Sequence, residues 1–257
     1  MSERTGYEPG TPSWVDLSTP DPEGAKRFYG ELFGWQAVDP GPPEETGGYA
    51  MFQLRGKQIA GIGPLMSEEQ PAIWSTYVST DDADAVVARA TEAGGMVIVE
   101  PMEVMDAGRM AFVMHPAGGA VGVWEPNRHT GAELVNEPGA LAWNQLHTRD
   151  LDGAAAFYEA VFGWKAADFG GMSVFNLGDR GIGGLAPMRE GMPEEVPAFW
   201  MTVFGTADTD ATAAKADELG GQILSPPSDI PDVGRFAVLA DPQGVTFGVI
   251  SIDDPAS

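Results

Sequence analysis

The chain repeats itself over half its length, and that duplication limits its fold more than any other feature. Trp14 to Trp35 (WVDLSTPDPEGAKRFYGELFGW) aligns with Trp143 to Trp164 (WNQLHTRDLDGAAAFYEAVFGW) at an offset of 129, with 11 of 22 positions identical. At an offset of 126, PAIWSTYV (71–78) matches PAFWMTVF (197–204), and Asp106, Gly108 and Arg109 match Asp232, Gly234 and Arg235. HPAG at 115–118 then matches DPQG at 241–244. A repeat of this size is a copied domain, not a solenoid unit. The expected organisation is a first domain over 1–128, a polar linker over 129–139 and a second domain over 140–257.

Each half divides again into two similar units. A short strand, Trp14–Ser18, leads to a helix with Asp21 at the N-cap and Pro22 at its first position. Ala25, Phe28, Tyr29, Leu32 and Phe33 form one apolar stripe on that helix, and Gly34 ends it. Three short strands follow, and the second unit repeats the order. The reading is α+β, with four βαβββ modules in two tandem domains.

Composition narrows the function. The 257 residues carry 14 Lys plus Arg against 38 Asp plus Glu, a net charge of −24. Such a surface repels phosphate backbones and anionic bilayers, so neither nucleic acid nor membrane is expected as a partner. Cysteine is absent, which removes disulfides, thiolate zinc sites and thiol nucleophiles. No apolar run reaches the ~20 residues of a membrane span, and a cytoplasmic protein is expected. Two copies in one chain need no partner to complete a paired fold, so a monomer is expected.

The four modules, with D-x-x-x-A-x-x-F-Y-x-x-x-F-G-W after the first strand and [DH]-P-x-G before the last, resemble the vicinal oxygen chelate superfamily. That superfamily includes glyoxalase I, bleomycin-resistance proteins and extradiol dioxygenases, and the tandem form resembles actinobacterial proteins labelled hydroxylases, some in aromatic polyketide pathways. The resemblance implies ligand binding on the concave face of each sheet. It also implies metal positions, which fall here near Trp14, Trp143, Ser75 and Met201, on Gly122 and Gly248, and near Gly61 and Gly184. None of these residues supplies an imidazole or carboxylate, so neither a metal nor another cofactor is expected.

Alternation along a strand places Trp14, Asp16 and Ser18 on one face, and Trp143, Gln145 and His147 on the matching face. These six are candidate ligand-binding residues, joined by Trp74 and Trp200 if the register allows. Trp35 and Trp164 are expected in the core. His147 is the candidate acid/base, because imidazole alone among these groups titrates near neutrality. Arg109 and Arg235 fit either an anion anchor or ion pairs with Asp106 and Asp232. The expected function is metal-independent binding of a flat aromatic small molecule, either to sequester it or as a cofactor-free enzyme of oxygenase, hydroxylase or isomerase type. A metal-dependent glyoxalase, lyase or dioxygenase is the alternative.

Overall fold

A computed structural model describes residues 2–67, 69–169 and 172–252. The first half runs β1 (Pro12–Thr19), α1 (Pro22–Phe33), β2 (Gln36–Val38), α2 (Pro43–Thr46), β3 (Ala50–Leu54) and β4 (Lys57–Pro64). It continues with β5 (Ile73–Ser79), α3 (Ala83–Glu92), β6 (Met96–Val104), β7 (Gly108–His115) and β8 (Gly118–Pro126). The second half gives β9 (Leu141–Thr148), α4 (Leu151–Phe162), β10 (Lys165–Phe169), β11 (Met172–Leu177) and β12 (Arg180–Pro187). It closes with β13 (Phe199–Gly205), α5 (Thr209–Glu218), β14 (Gln222–Ile230), β15 (Gly234–Ala240) and β16 (Thr246–Ile252).

Each half forms one eight-stranded sheet. The orders are β2-β3-β4-β1-β5-β8-β7-β6 and β10-β11-β12-β9-β13-β16-β15-β14, the same topology twice. In both, the first strands of the two modules pair antiparallel at the centre, Asp16 opposite Ser75 and Gln145 opposite Met201. The fold is therefore α+β with tandem βαβββ pairs.

Local signals hold the helices as read. Asp21 accepts from the Gly24 amide at 2.9 Å, and Asp150 accepts from Gly153 at 2.9 Å. Gly34 and Gly163 end their helices in the left-handed region, at φ 76° each.

The halves are joined through those helices. Phe28 and Tyr29 of α1 pack with Phe204, Ala213, Ala216, Leu239 and Phe247 of the second half. Phe157 and Tyr158 of α4 pack with Val86, Ala90, Val113 and Val123 of the first. Trp74 Nε1 donates to Tyr29 Oη at 3.0 Å, and Tyr29 Oη donates to Asp241 at 3.1 Å. The mirrored chain runs from Trp200 Nε1 to Tyr158 Oη at 2.9 Å and on to the Gly119 carbonyl at 2.8 Å. Thus the tyrosine of each Phe-Tyr pair reaches the other half at its last strand, in the turn before β16 and at the start of β8. Trp35 and Trp164 are in the core, donating to the carbonyls of Gly139 and Gly10 at 2.7 Å each.

The segment read as a linker is packed rather than free. Ala132, Leu134 and Val135 are buried, and the Ala132 and Glu133 amides bond to the Ser13 and Gln58 carbonyls.

Two measurements test this arrangement. Tyr29→Phe leaves the Trp74 indole and the Asp241 carboxylate short of a buried partner and should lower unfolding stability by about 1–3 kcal/mol, read by denaturant titration. Light scattering should give the 27.1 kDa of one chain, because each half already covers the other's helices; twice that mass at micromolar concentration would contradict it.

Candidate functional site

The face of each sheet turned away from the helices carries the candidate residues, and the pairing decides which side chains reach it. Residues directly opposite on antiparallel strands share a face. Asp16 faces Ser75, and Trp14 faces Tyr77, so these four lie together on the outer face of the first sheet. Trp74 faces Leu17, and Trp200 faces Leu146, both core residues. The expectation that Trp74 and Trp200 line a ligand site is therefore corrected. Both indoles are buried on the helix side, bonded to Tyr29 and Tyr158.

The outer face of the first sheet is filled by its own side chains. Asp16 accepts from Tyr77 Oη at 2.8 Å and from Tyr49 Oη at 3.2 Å, while Trp14 Nε1 donates to Tyr49 Oη at 3.1 Å. Gly61 and Gly122 explain how two phenols fit. A Cβ at Gly61 would collide with the Tyr49 hydroxyl, and one at Gly122 with the Tyr77 ring. His129 closes the other side of Trp14, ring centres 4.3 Å apart and edge-on. Burial lowers the His129 pKa to about 4, against the weaker pull of Glu133. Ser18 is capped as well, its hydroxyl accepting from Gln70 Nε2 at 3.1 Å.

The second face has the same backbone and different contents. Tyr77 is matched by Val203, Asp16 by Gln145 and Ser18 by His147. Met201, Val203, Val238 and Ile250 form an apolar cluster bordered by half-buried Trp143, Phe199 and Phe236. His147 stacks on Phe199 at 5.1 Å and 17°. It is 8% exposed, yet neither imidazole nitrogen has a hydrogen-bond partner among the described residues. Burial holds its pKa below 6.5, the backbone at Pro187 offsetting part of this and Arg189 adding to it. A neutral imidazole there has one donor, engaged at most weakly by the Pro187 backbone, and one acceptor unused. A cleft of about 300 Å³ beside this face is lined by Trp143 together with Arg4, Tyr7, Glu8 and Arg180. It gives Trp143 the access that His129 and Tyr49 deny to Trp14.

The metal positions implied by the resemblance do meet on these faces, but their side chains do not make a donor set. In the first half the available carboxylate, Asp16, is already held by two phenols. The second half offers an amide, a thioether and two glycines. Among the described residues no group of three or more His, Asp or Glu side chains is placed to share an ion. The residues present do not fit the metal.

Arg109 and Arg235 are both ion-paired, with partners other than Asp106 and Asp232. Arg109 meets Asp84 at 2.9 Å, Glu103 at 3.2 Å and Glu125 at 3.2 Å. Arg235 meets Asp210 and, at 2.7 Å, Asp229. Asp106 pairs with Arg128 instead.

Tyr49 had no part in the sequence reading. Its signal was the glycine pair Gly61 and Gly63, whose missing side chains its ring covers.

Burial pushes the Asp16 pKa up to about 6 from 3.8, with the hydrogen bonds from Tyr77 and Tyr49 opposing the shift. A raised native pKa means that the folded state keeps the proton longer, so wild-type stability falls as pH rises through that window. Asp16→Asn removes this titration. The unfolding free energy of the variant relative to wild type should therefore climb between pH 3.8 and about 6, by at most about 3 kcal/mol. Denaturant titrations of both proteins across the window check it; a constant difference would contradict it.

Comparison with known proteins agrees with the geometry. The profile of the Glyoxalase/Bleomycin resistance protein/Dioxygenase superfamily matches residues 11–123 and 140–249. A protein of Mycobacterium bovis named provisionally as a glyoxylase, CFP32, is 47% identical over 97% of this chain and 98% of its own. The anthracycline biosynthesis protein DnrV of Streptomyces peucetius is 39% identical over 96% and 95%. Among solved structures, the Mn(II)-bound glyoxalase from Novosphingobium aromaticivorans superposes with a TM-score of 0.68 at 16% identity, covering 98% of this chain and 83% of that one. The 2,3-dioxygenase LapB from Pseudomonas sp. KL28 gives 0.66 at 12%, covering 96% and 94%. At such identities these two structures speak for the fold alone. With both halves matched, the chain belongs to the Glyoxalase/Bleomycin resistance protein/Dioxygenase superfamily.

Proposed function

We propose that this protein binds a flat aromatic small molecule on the outer face of its second sheet, without a metal. The observation that carries the reading is the difference between two faces built on one backbone. Tyr49, Tyr77, Asp16 and His129 saturate the first. The second presents Trp143, Phe199, Phe236 and Met201, with the imidazole of His147 unpartnered. Aromatic rings and a thioether suit a planar apolar ligand. A buried unpartnered polar group costs free energy that a ligand can recover by bonding it. In this reading Trp143 stacks on the ligand, Gln145 orients it, and His147 exchanges a hydrogen bond or a proton with it. The anthracycline biosynthesis role named for DnrV is consistent with such a ligand.

Turnover is the second reading, favoured by the state of His147. Burial keeps that imidazole neutral near neutral pH, which is the form that accepts a proton from an acidic phenol. Sequestration and cofactor-free conversion share the binding step and separate at the product.

Calorimetric titration with a planar hydroxyquinone, followed by product analysis, tests both. One ligand per chain is expected. Recovery of unchanged ligand supports sequestration, and a new product supports catalysis. Trp143→Ala should weaken binding about tenfold, from the lost ring contact, while Tyr77→Phe on the closed face should leave affinity unchanged. Elemental analysis should find no stoichiometric Zn, Ni, Mn or Fe, and chelation should not alter affinity. Absence of binding by any planar aromatic, or one tightly held metal ion per chain, would defeat the proposal.

A further inference from the structure

The loop at the His147 end of the second face differs from its counterpart in both length and wiring. Eight residues separate β4 from β5, and eleven separate β12 from β13, so the second half carries three more. In the first half this loop supplies Gln70, which caps Ser18. In the second it supplies no partner to His147, which occupies the same strand position.

Its anchoring is specific. Arg149, two residues beyond His147, donates to the backbone carbonyls of Val196 at 2.6 Å, Pro193 at 2.7 Å and Met192 at 3.2 Å, tying the far part of the loop to the end of β9. The Met188 amide bonds to the Thr148 carbonyl at 2.9 Å, and Ala186 pairs with His147. Arg189 therefore leaves the sheet beside His147. From there Arg189 Nη2 donates to Ser225 Oγ at 2.7 Å, on the far edge strand β14. Since β12 and β14 are five places apart in the sheet order, this bond spans the open side of the curled face.

Arg189 is exposed and has no carboxylate partner among the described residues; its hydrogen bond runs to a neutral hydroxyl. Five other arginines, Arg55, Arg109, Arg128, Arg180 and Arg235, each meet an acid, while Arg89 and Arg149 are bonded to backbone carbonyls. What sets Arg189 apart is its place close enough to His147 to act on that imidazole, with a neutral hydroxyl as its bonded partner. Guanidinium matches the geometry of a carboxylate, and a neutral imidazole adds one N–H.

We propose that Arg189 and His147 form the anion-reading end of this site, which takes a planar aromatic ligand ending in an ionised oxygen, a carboxylate in its simplest form. Arg189 exchanges Ser225 for the ligand's anionic group, and the ring system lies toward Trp143. This deepens the aromatic-site reading above and rests on it.

The test uses 2-naphthoate and naphthalene as probes, titrated calorimetrically at neutral pH and moderate salt against the full chain. Wild type should bind naphthoate about tenfold tighter than naphthalene, the scale of one charge-assisted hydrogen bond, and the margin should shrink as salt rises. Arg189→Gln should abolish the margin and leave naphthalene binding intact. Ser225→Ala, which removes the bond Arg189 has to break, should bind naphthoate at least as tightly as wild type. If naphthalene binds and naphthoate binds no tighter, or if the margin survives Arg189→Gln, the anion assignment is overturned while the aromatic site stands. If neither probe binds, both readings fall together.

Discussion

Tyr29 and Tyr158 are the groups through which each half of this protein completes the other. Each phenol accepts an indole N–H from its own half and donates to the other half beside its last strand, to a turn carboxylate before β16 in one case and to a backbone carbonyl at the start of β8 in the other. Both are fully buried, so an unmatched partner would carry its whole desolvation cost. Around each tyrosine the rings of Phe33, Trp35 and Trp74, or of Phe162, Trp164 and Trp200, stack or meet edge-on. That engagement commits the helix side of both sheets to the interior, which leaves their other faces outside the shared core.

The two outer faces then diverge by a few substitutions on a shared frame. Where the first half has Asp16 and Tyr77, phenol donors satisfy the carboxylate and the rings occupy the space left by glycines. Where the second has Gln145 and Val203, the glycine spaces are taken by Trp143 and Phe236 instead of phenols. Gly184 and Gly248 retain the backbone room, and a methyl at either would meet Trp143, Gln145, Phe236 or Val203. The two copies thus carry a polar cluster that closes one face and an apolar face with a buried imidazole on the other.

Much of the fold was legible because it rests on local chemistry. Asp21 and Asp150 cap their helices, Gly34 and Gly163 end them, and the apolar stripe containing Phe28 and Tyr29 is buried as its spacing requires. Alternation on β1 and β9 grouped Trp14 with Asp16, and Trp143 with Gln145 and His147. Trp74 and Trp200 were not legible, because a one-residue change of register moves a side chain across the sheet and only the pairing with Leu17 and Leu146 fixes it. The Arg109 and Arg235 partners were missed for a similar reason. Sequence nearness pointed to Asp106 and Asp232, whereas Asp84 and Asp210 lie at the starts of helices that fold back against those strands.

The sequence by itself determined the duplication, the βαβββ order and the strand face on which the candidate residues lie. The duplication is read by aligning the chain with itself. The rest follows from residue type and from periods of two and 3.6, which are properties of neighbouring residues; the metal positions came from the family resemblance. Tertiary structure decided which face is closed. Tyr49 reaches Asp16 from 33 residues away, Tyr77 from 61, and Arg189 meets Ser225 on a strand five places away in the sheet. Contacts of that kind depend on sheet curvature and loop course, so no local pattern encodes them.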